Sequence, residues 1–309
     1  MYKVRDMIGR EVTVENNVTY VVVFFSPQVL EILHALGVSD YVVAIDTYLK
    51  HSIIFEDPLL PRFLNINAIQ SINAAKCSQL DTLLKPHLII MDICNKNQKI
   101  ARECLKVLES KGIPVYATCS TMNSKNDLEK WYEVIESFGV IFQCVERAKD
   151  VIHYLKSLIY MIYSTLNNVS HHPRFILSFN KPTLIAGKKC FCAVLGEMVG
   201  GVNIGNVIDD VHVEVKPEFI SDANPEVWIV WAGMQKTIEE IYKTFSGVEA
   251  IKKNNVFQMP WLGCAKSPLR AHLYIAWYAS IFYPTKTHSF NEVIDEFIYR
   301  LYEIPRWKL

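Results

Sequence analysis

The stretch Val18–Asp46, VTYVVVFFSPQVLEILHALGVSDYVVAID, contains two apolar runs with an amphipathic segment between them. Thr19–Phe25 is β-branched and aromatic without a charge, which predicts a strand buried on both faces. Ser26, followed by proline, is typical of a helix start, and Gly37 is typical of the residue just after a helix. Tyr41–Ile45 then predicts a second strand. The stretch therefore predicts a βαβ unit within a parallel sheet.

The same pattern returns along the chain. Leu88–Asp92 and Ile113–Ala117 predict two more buried strands, each preceded by a helical segment. Cys144–Asn167 contains neither Gly nor Pro and predicts one uninterrupted helix with an apolar stripe. A second α/β region follows it. The predicted fold is α/β, with two Rossmann-like lobes joined by a single long helix and a ligand cleft between them, divided as residues 1–143, 144–168 and 169–309.

Composition excludes several classes of protein. The chain has 309 residues, of which 50% are hydrophobic, so it can form the cores of two lobes. Lys and Arg number 32, as do Asp and Glu, so no basic field is available for nucleic acid or an anionic membrane. No segment reaches the roughly 18 apolar residues of a membrane-spanning helix. Domain-like sequence begins soon after Met1, which predicts either a cytosolic protein or one whose leader was removed.

Eight cysteines are present, and none forms a CxxC pair. Cys190 and Cys192 form a CxC pair that could bind a metal, but small buried hydrophobic side chains are the expected role of most cysteines here. An even number permits disulfides without requiring them. The neighbouring His171 and His172 are predicted to lie in a solvated loop. No nucleophile elbow, P-loop or dinucleotide fingerprint occurs, so no catalytic residue and no metal ligand is assigned.

Several motifs occur in a characteristic order: DMIGREVTV, SPQVLEILHALGVSDYVVAID, LDTLLKPHLIIMD, GIPVYA, GEMVGGVNI and NPEVWIV. In this order, and with the long joining helix, they resemble the substrate-binding proteins of ATP-driven (ABC) importers for iron-siderophores, haem and cobalamin. The resemblance runs from about Asp6 to the last helix. His87 stands where that family usually has Asp, and no leader or lipid-anchor cysteine is visible, so an extracytoplasmic location is expected from the resemblance alone.

The resemblance implies a non-catalytic, monomeric receptor without a cofactor of its own. It would bind a metal chelate between its lobes and deliver it to a permease dimer, touching the membrane only through the permease or a missing anchor. The continuous joining helix predicts a small closing motion. Two rivals remain open: a chelatase- or nitrogenase-like metalloenzyme using Asp92, Cys94 and His172, and a cytosolic ligand sensor on the same fold.

Open parallel sheets bind ligands beyond the carboxyl ends of their strands. The polar and aromatic candidates at those ends are Ser26, Tyr48, Asp92 and Asn95 in the first lobe, and Asn180, Trp231 and Trp261 in the second. Tyr48 could ligate ferric iron through its phenolate oxygen or pack on the cleft wall. Trp231 could stack on a ligand or belong to the core.

Arg270 is predicted to lie in the first turn of a helix that begins after Ser267. A cation there opposes the helix dipole at a cost of about 0.3–1 kcal/mol, so an anion is expected beside it. That anion could be an acidic ligand or a neighbouring carboxylate. The two alternatives have equal weight.

The resemblance also implies that one acidic residue on each lobe docks onto arginines of the permease. Asp81 and Glu197 are assigned to these positions, where bidentate pairing with arginine is expected. The competing interpretation is that each is an ordinary solvated helix charge.

Overall fold

The computed structural model describes residues 1–50, 63, 65–70, 72–94, 98–122, 124, 126–260, 267–287 and 289–302. The strands are β1 (Tyr2–Arg5), β2 (Glu11–Val14), β3 (Val21–Phe24), β4 (Val42–Asp46), β5 (Asn67–Ile69), β6 (Leu88–Asp92), β7 (Val115–Thr118), β8 (Arg174–Ser178), β9 (Leu184–Ala186), β10 (Val202–Asn203), β11 (His212–Glu214), β12 (Val227–Val230) and β13 (Val256–Gln258). The helices are α1 (Pro27–Ala35), α2 (Thr47–Lys50), α3 (Ala74–Cys77), α4 (Leu80–Leu83), α5 (Gln98–Ser110), α6 (Asn126–Ile141), α7 (Val145–Leu166), α8 (Phe191–Met198), α9 (Pro217–Ala223), α10 (Gln235–Thr244), α11 (Glu249–Lys252), α12 (Pro268–Phe282) and α13 (Phe290–Tyr302).

The first sheet has the strand order β5-β4-β3-β6-β7, and every neighbouring pair in it is parallel. Its central strand β3 is buried on both faces, as its uncharged β-branched sequence predicts. The predicted βαβ unit and parallel sheet are therefore confirmed.

Helix α1 begins and ends where the sequence predicts. Pro27 is its first residue, and Gly37 follows it with φ of +74°, a conformation that glycine adopts without steric cost. Ser26 occupies the N-cap position, but its side chain makes no capping hydrogen bond. Its hydroxyl is hydrogen-bonded instead to Thr118 at the end of β7, the second strand along from β3 in the sheet.

Helix α7 is unbroken from Val145 to Leu166 and confirms the predicted long helix between two α/β regions. Val151, Leu155, Leu158 and Ile162 form its buried stripe. Spacing by three or four residues places these side chains on one face, against α6 and α12. The exact lobe boundaries, 1–143, 144–168 and 169–309, remain predictions.

The second sheet has the order β11-β9-β8-β12-β13, and β10 pairs with β8. β12 is parallel to both β8 and β13, whereas β9 runs antiparallel to β8 and β11. The tight Asn-Lys-Pro turn between β8 and β9 explains the antiparallel pair, since a parallel return needs a crossover. The fold class is thus confirmed: one parallel sheet and one mixed sheet, with helices against both.

One hydrophobic core extends from the first sheet to the second through α6, α7 and α12. Nearly all of α12 is buried, and both α12 and α13 contact α1 of the first lobe. The C-terminal helices therefore brace the two lobes against each other. Among the described residues, no helix combines the length and apolarity needed to cross a membrane.

Candidate ligand-binding site

The carboxyl edge of the first sheet brings together side chains that are far apart in sequence. Ser26 follows β3 and Thr118 ends β7, and their hydroxyl oxygens lie 3.2 Å apart in a hydrogen bond. Both side chains are buried. Ser26 therefore connects the segment after β3 to the end of β7. A ligand contact for Ser26 remains a prediction.

Asp92 is buried at the end of β6 and is held by backbone groups. One carboxylate oxygen accepts a hydrogen bond from the N–H of Cys94 at 2.8 Å, and the other accepts from the N–H of Ser120 at 3.1 Å. Buried carboxylates need such donors, because an unpaired buried charge is costly. This geometry gives Asp92 a positioning role, holding the turns after β6 and β7, and lends no support to direct ligand contact.

Asp46 has a similar position at the end of β4. Its carboxylate accepts hydrogen bonds from the N–H groups of Phe25 at 2.6 Å and Leu49 at 3.0 Å. Burial raises the pKa of Asp46, although these backbone donors favour the ionised form. Phe25 has φ of +59°, unusual for a bulky residue, and the bond to Asp46 holds its backbone in place.

A disulfide joins Cys94 to Cys119 across the turns that follow β6 and β7. The hydroxyl of Thr121 donates to the carbonyl of Cys94 at 3.2 Å in the same region. The disulfide and the Asp92 carboxylate therefore fix the same two turns. Sequence alone permitted a disulfide but could not pair these two of the eight cysteines.

Tyr48 lies on α2, directly after β4, and is the exposed aromatic group of this edge, with 37% of its surface accessible. Its ring lies 6.5 Å from the ring of Phe25, centroid to centroid. Part of the Tyr48 side chain is thus exposed to solvent at this edge. The predicted neighbour Asn95 lies outside the described residues.

Several aromatic side chains lie close together at the carboxyl edge of the second sheet. Phe179, directly after β8, packs edge-on against His212 at 4.3 Å and lies 5.8 Å from Trp231. Trp231 is half-buried and Asn180 is exposed, so both remain candidates for ligand contact. Trp261 lies outside the described residues. Sequence reasoning missed Phe179, although its place next to Asn180 at a strand end was a usable signal.

Arg270 has a carboxylate neighbour, which confirms the second of its two alternatives. Its Nε donates to a carboxylate oxygen of Glu31 at 2.7 Å, and the two side chains are 1% and 2% exposed. The hydroxyls of Ser267 and Tyr302 also donate to Glu31. The assignment of Arg270 to ligand binding has no support from this geometry, because its charge is matched inside the protein.

The same contact indicates where α12 begins relative to the first sheet. Glu31 lies four residues, or about 6 Å, along α1 from its first residue, Pro27, and Ser267 caps α12. The two residues are hydrogen-bonded. The contact therefore places the start of α12 beside α1, close to the carboxyl edge of the first sheet.

The proposed docking acids occupy different surroundings. Asp81 lies on α4 and pairs with Lys111 at 2.9 Å, and this hydrogen bond is the main reason why its pKa is lowered. Glu197 is half-buried near the end of α8, where burial raises its pKa. It lines a groove of about 730 Å³ with Tyr163 and Tyr283, near the amino end of β8. An interaction of either acid with arginine remains a prediction.

The topology identifies a different counterpart for Asp81. Helix α4 precedes β6, the neighbour of β3, and α9 precedes β12, the neighbour of β8. The two helices therefore hold equivalent places in the two sheets, and the acidic residue in the first turn of α9 is Glu218, which is exposed. Glu197, on α8, is not equivalent to Asp81. Sequence reasoning missed Glu218, although it stands ahead of an Asn-Pro turn and a buried strand.

The ligand set of the rival metalloenzyme is not assembled. Cys94 is in a disulfide, Asp92 is bonded to backbone groups, and His172 lies beside the carbonyl of Gly200 at 3.0 Å. Within the part of the chain that the structure describes, no group of three or more His, Cys, Asp or Glu side chains is placed to hold a metal ion.

The sequence was also compared with protein-family models and with curated proteins. A family model described as periplasmic binding protein matches residues 22–261. No curated protein sequence matches the chain significantly.

Solved structures of this class share the fold. A periplasmic solute-binding protein from Veillonella parvula superposes with a TM-score of 0.78 at 19% identity, covering 98% of this chain and 93% of that one. Helicobacter pylori CeuE with Ni(II) bound gives 0.74 at 19% identity, covering 100% and 98%. Haemophilus influenzae MolA bound to molybdate gives 0.77 at 17% identity, covering 99% of both chains. Since the family model matches most of its length, the chain belongs to the periplasmic binding protein family.

Proposed function

We propose that this protein is the extracytoplasmic receptor of an ABC importer, and that it carries an iron-siderophore or a related metal chelate, such as haem or cobalamin, between its two lobes. Family membership over residues 22–261 supports a binding role outside the cytoplasm. The Cys94–Cys119 disulfide supports the same location, because disulfides persist mainly in oxidising compartments.

The observation that carries the ligand class is the pairing of surfaces at the two carboxyl edges. One edge offers the exposed phenol of Tyr48, and the other offers the half-buried ring of Trp231 beside Phe179 and the exposed amide of Asn180. Aromatic faces with a few polar groups suit a large, partly apolar ligand. A chelate with rings and oxygen donors fits these groups better than a small hydrophilic ion.

We infer that the protein works without catalysis and without a resident cofactor, so that the metal arrives as part of the ligand. The motifs of nucleophilic and nucleotide-dependent enzymes are absent from the sequence, which supports this inference. A single chain would present its ligand to the permease.

Titration of tryptophan fluorescence tests the ligand class. The probes are a ferric catecholate siderophore, a ferric hydroxamate siderophore, haem and cyanocobalamin, each added to the metal-free protein. We expect saturable quenching with one of them and the same probe recovered unchanged after release. Trp231→Ala should weaken that binding about 3- to 10-fold, since an aromatic contact contributes about 0.5–1.5 kcal/mol.

Tyr160→Ala provides the matched control, because Tyr160 is an exposed aromatic residue on α7, away from the strand ends. It should bind the probe as the parent does. If none of the four probes quenches, the proposed ligand class is wrong. If the recovered probe is chemically altered, the non-catalytic receptor function is wrong.

We further propose that acidic residues on the outer helices dock the loaded protein onto permease arginines. Asp81 is the candidate on the first lobe, and Glu218 competes with Glu197 on the second. Stimulation of ATP hydrolysis by the cognate importer distinguishes the two. Loss with Glu218→Gln but not with Glu197→Gln would favour the equivalent helices, and the reverse would favour α8. Full stimulation by all three neutral variants, Asp81→Asn included, would contradict docking through these acids.

A further inference from the structure

Two thiols and an imidazole meet at the start of α8, and neither thiol is used by the proposed receptor function. Cys190 directly precedes α8, and Cys192 is its second residue. Hydrogen bonds join the Cys190 sulfur to the Cys192 thiol and to the His212 side chain on β11. Both cysteines are free in the structure. This CxC motif is therefore a preformed thiol pair with a histidine beside it.

The surroundings of Cys190 favour its thiolate. The hydrogen bond from Cys192 is the largest influence, followed among the stabilising contacts by His212 and the backbone N–H of Ala193 in the first turn of α8. Together they lower the pKa of the Cys190 thiol to about 5, against the opposing effect of burial. The thiolate is the nucleophilic form of cysteine, so Cys190 is primed to attack.

The pair is shielded but lies at an edge of the sheet. Cys190 is 3% exposed and Cys192 is 7% exposed. His212, in contrast, is exposed, and β11 is the outermost strand of its sheet. The ring of His212 also packs on Phe179 at 4.3 Å. His212 is therefore the solvent-exposed member of this cluster.

A second thiol pair in the same chain shows what is special about this one. Cys77 on α3 and Cys104 on α5 are also hydrogen-bonded to each other, and both are 0% exposed in the core of the first lobe. The groups that act on the Cys104 thiol are Cys77 and Glu103, with no histidine among them. Like Cys190 and Cys192, these are two hydrogen-bonded thiols, but they have no imidazole and no exposed neighbour. They therefore serve as an internal control.

We propose that Cys190 and Cys192 form a reactive dithiol site whose substrate class is a small-molecule disulfide. The Cys190 thiolate attacks one sulfur of the substrate, forming a mixed disulfide and expelling one thiolate. The Cys192 thiol loses its proton to solvent and attacks the Cys190 sulfur, forming the Cys190–Cys192 disulfide and expelling the second thiolate. Two protein thiols are oxidised and one substrate disulfide is reduced. His212 acts as a positioning residue for the first step.

The ring that this reaction closes is sterically accessible. Cα atoms two residues apart are separated by roughly 5.5–7 Å, which overlaps the span of ordinary disulfides. The reaction does not depend on the proposed ligand or permease. A failure of the thiol site in the test would therefore leave the proposed receptor function unaffected.

The test uses the folded full-length chain with Cys144→Ser and Cys264→Ser as the parent, and dithiobis(nitrobenzoate) as the probe. We expect the parent to release two coloured thiolates per chain, and the intact protein to lose two hydrogens without retaining an adduct. With Cys192→Ser, one thiolate should be released and the mixed disulfide should stay on Cys190. With Cys190→Ser, release should slow by about tenfold or more.

Two further variants keep the outcome decisive. His212→Gln should slow the first release by about tenfold while leaving the yield at two thiolates, which a merely structural role would not produce. Replacing both Cys77 and Cys104 by Ser should change neither rate nor yield. The proposal is overturned if the folded parent releases no thiolate, if the Cys77 and Cys104 substitutions abolish the release, or if Cys190→Ser leaves it unchanged.

Discussion

The carboxylate of Glu31 and the guanidinium of Arg270 form an ion pair of 2.7 Å that is almost completely buried between the two lobes. Glu31 belongs to α1 and Arg270 to α12, so the pair joins segments 239 residues apart. The hydroxyls of Ser267 and Tyr302 converge on the same carboxylate. The pair therefore fixes α1 against the start of α12 and the end of α13.

Removing one charge of this pair should be strongly destabilising. Glu31→Gln leaves the Arg270 charge buried without its carboxylate, which is expected to lower the free energy of unfolding by about 3–5 kcal/mol. Replacing both together, by Glu31→Leu and Arg270→Met, should cost less than the sum of the single changes, since no isolated charge remains. Urea unfolding of Glu31→Gln, of Glu31→Leu and Arg270→Met singly, and of the double variant measures this.

The control for that experiment is Glu296→Gln, which removes the exposed partner of Arg300 on α13. Exposed pairs contribute about 0–1 kcal/mol, so this variant should unfold close to the parent. A loss below about 1 kcal/mol for Glu31→Gln would contradict a structural role for the buried pair.

His272 predicts a specific dependence of stability on pH. It is fully buried on α12, its Nδ1 lies 2.9 Å from the carbonyl of Pro268, and its Nε2 lies 2.6 Å from the hydroxyl of Tyr132 on α6. Since a carbonyl only accepts, Nδ1 donates and Nε2 accepts from Tyr132. Burial raises the pKa of Tyr132, which keeps this hydroxyl protonated, and burial lowers the pKa of His272 from 6.5 to about 4.

The lowered pKa of His272 determines whether stability rises or falls with pH. As the pH falls, the unfolded chain takes up the proton first, so the stability contributed by neutral His272 is complete above pH 6.5 and is lost between pH 6.5 and about 4. The loss amounts to about 3 kcal/mol for this one group. Unfolding midpoints across this range should fall less steeply in His272→Gln than in the parent, and as steeply in His153→Gln, where the histidine is exposed on α7. Equal slopes in His272→Gln and the parent would contradict this assignment.

The Cys94–Cys119 disulfide should stabilise both the fold and the edge of the binding site. It closes a loop with a sequence separation of 25 residues, and the chain-entropy model assigns such a loop about 3 kcal/mol. Replacing both cysteines by serine should lower the free energy of unfolding by that amount and weaken binding of the chelate identified above. The Cys77→Ser and Cys104→Ser pair of substitutions, made in the core of the same lobe, should not weaken binding. Unchanged affinity without the disulfide would show that the turns after β6 and β7 do not shape the site.

Gly205 lies just after β10, where the chain passes close to β9. A Cβ atom at this position would lie 2.0 Å from the carbonyl oxygen of Ala186, which is backbone and cannot move aside easily. Gly205→Ala should therefore lower the melting temperature, with a cost of about 2–3 kcal/mol. Gly247→Ala is the control, because a Cβ there meets no atom within 4 Å. Equal melting temperatures for the two variants would contradict the close approach of these segments.

The positions of strands and helices followed from the sequence wherever residues close together in the chain determine them. The uncharged run before Ser26 became β3, Gly37 ended α1, and the stretch without Gly or Pro after Cys144 became α7. The order of these elements predicted two α/β regions, and the family was indicated by the resemblance of the quoted motifs. Such patterns depend on residues within a few positions of each other, so no tertiary information was needed.

The sequence placed the candidate residues at strand ends, and their contact with a ligand stays a prediction. Tyr48, Asn180 and Trp231 do lie at the carboxyl edges, because a strand end is a local feature. The roles of Asp92 and Arg270 were not predictable in the same way. Their partners are the backbone of Ser120, 28 residues away, and the carboxylate of Glu31, 239 residues away.

What the sequence by itself determined was the succession of strands and helices, since hydrophobic periodicity and turn residues act over short distances along the chain. What only the tertiary structure decided was which polar groups face each other. It matched Arg270 with Glu31, paired Cys94 with Cys119, and brought His212 to Cys190. These contacts are set by how the sheets and helices pack, and a buried charge or thiol acquires its chemistry from the neighbour that packing supplies.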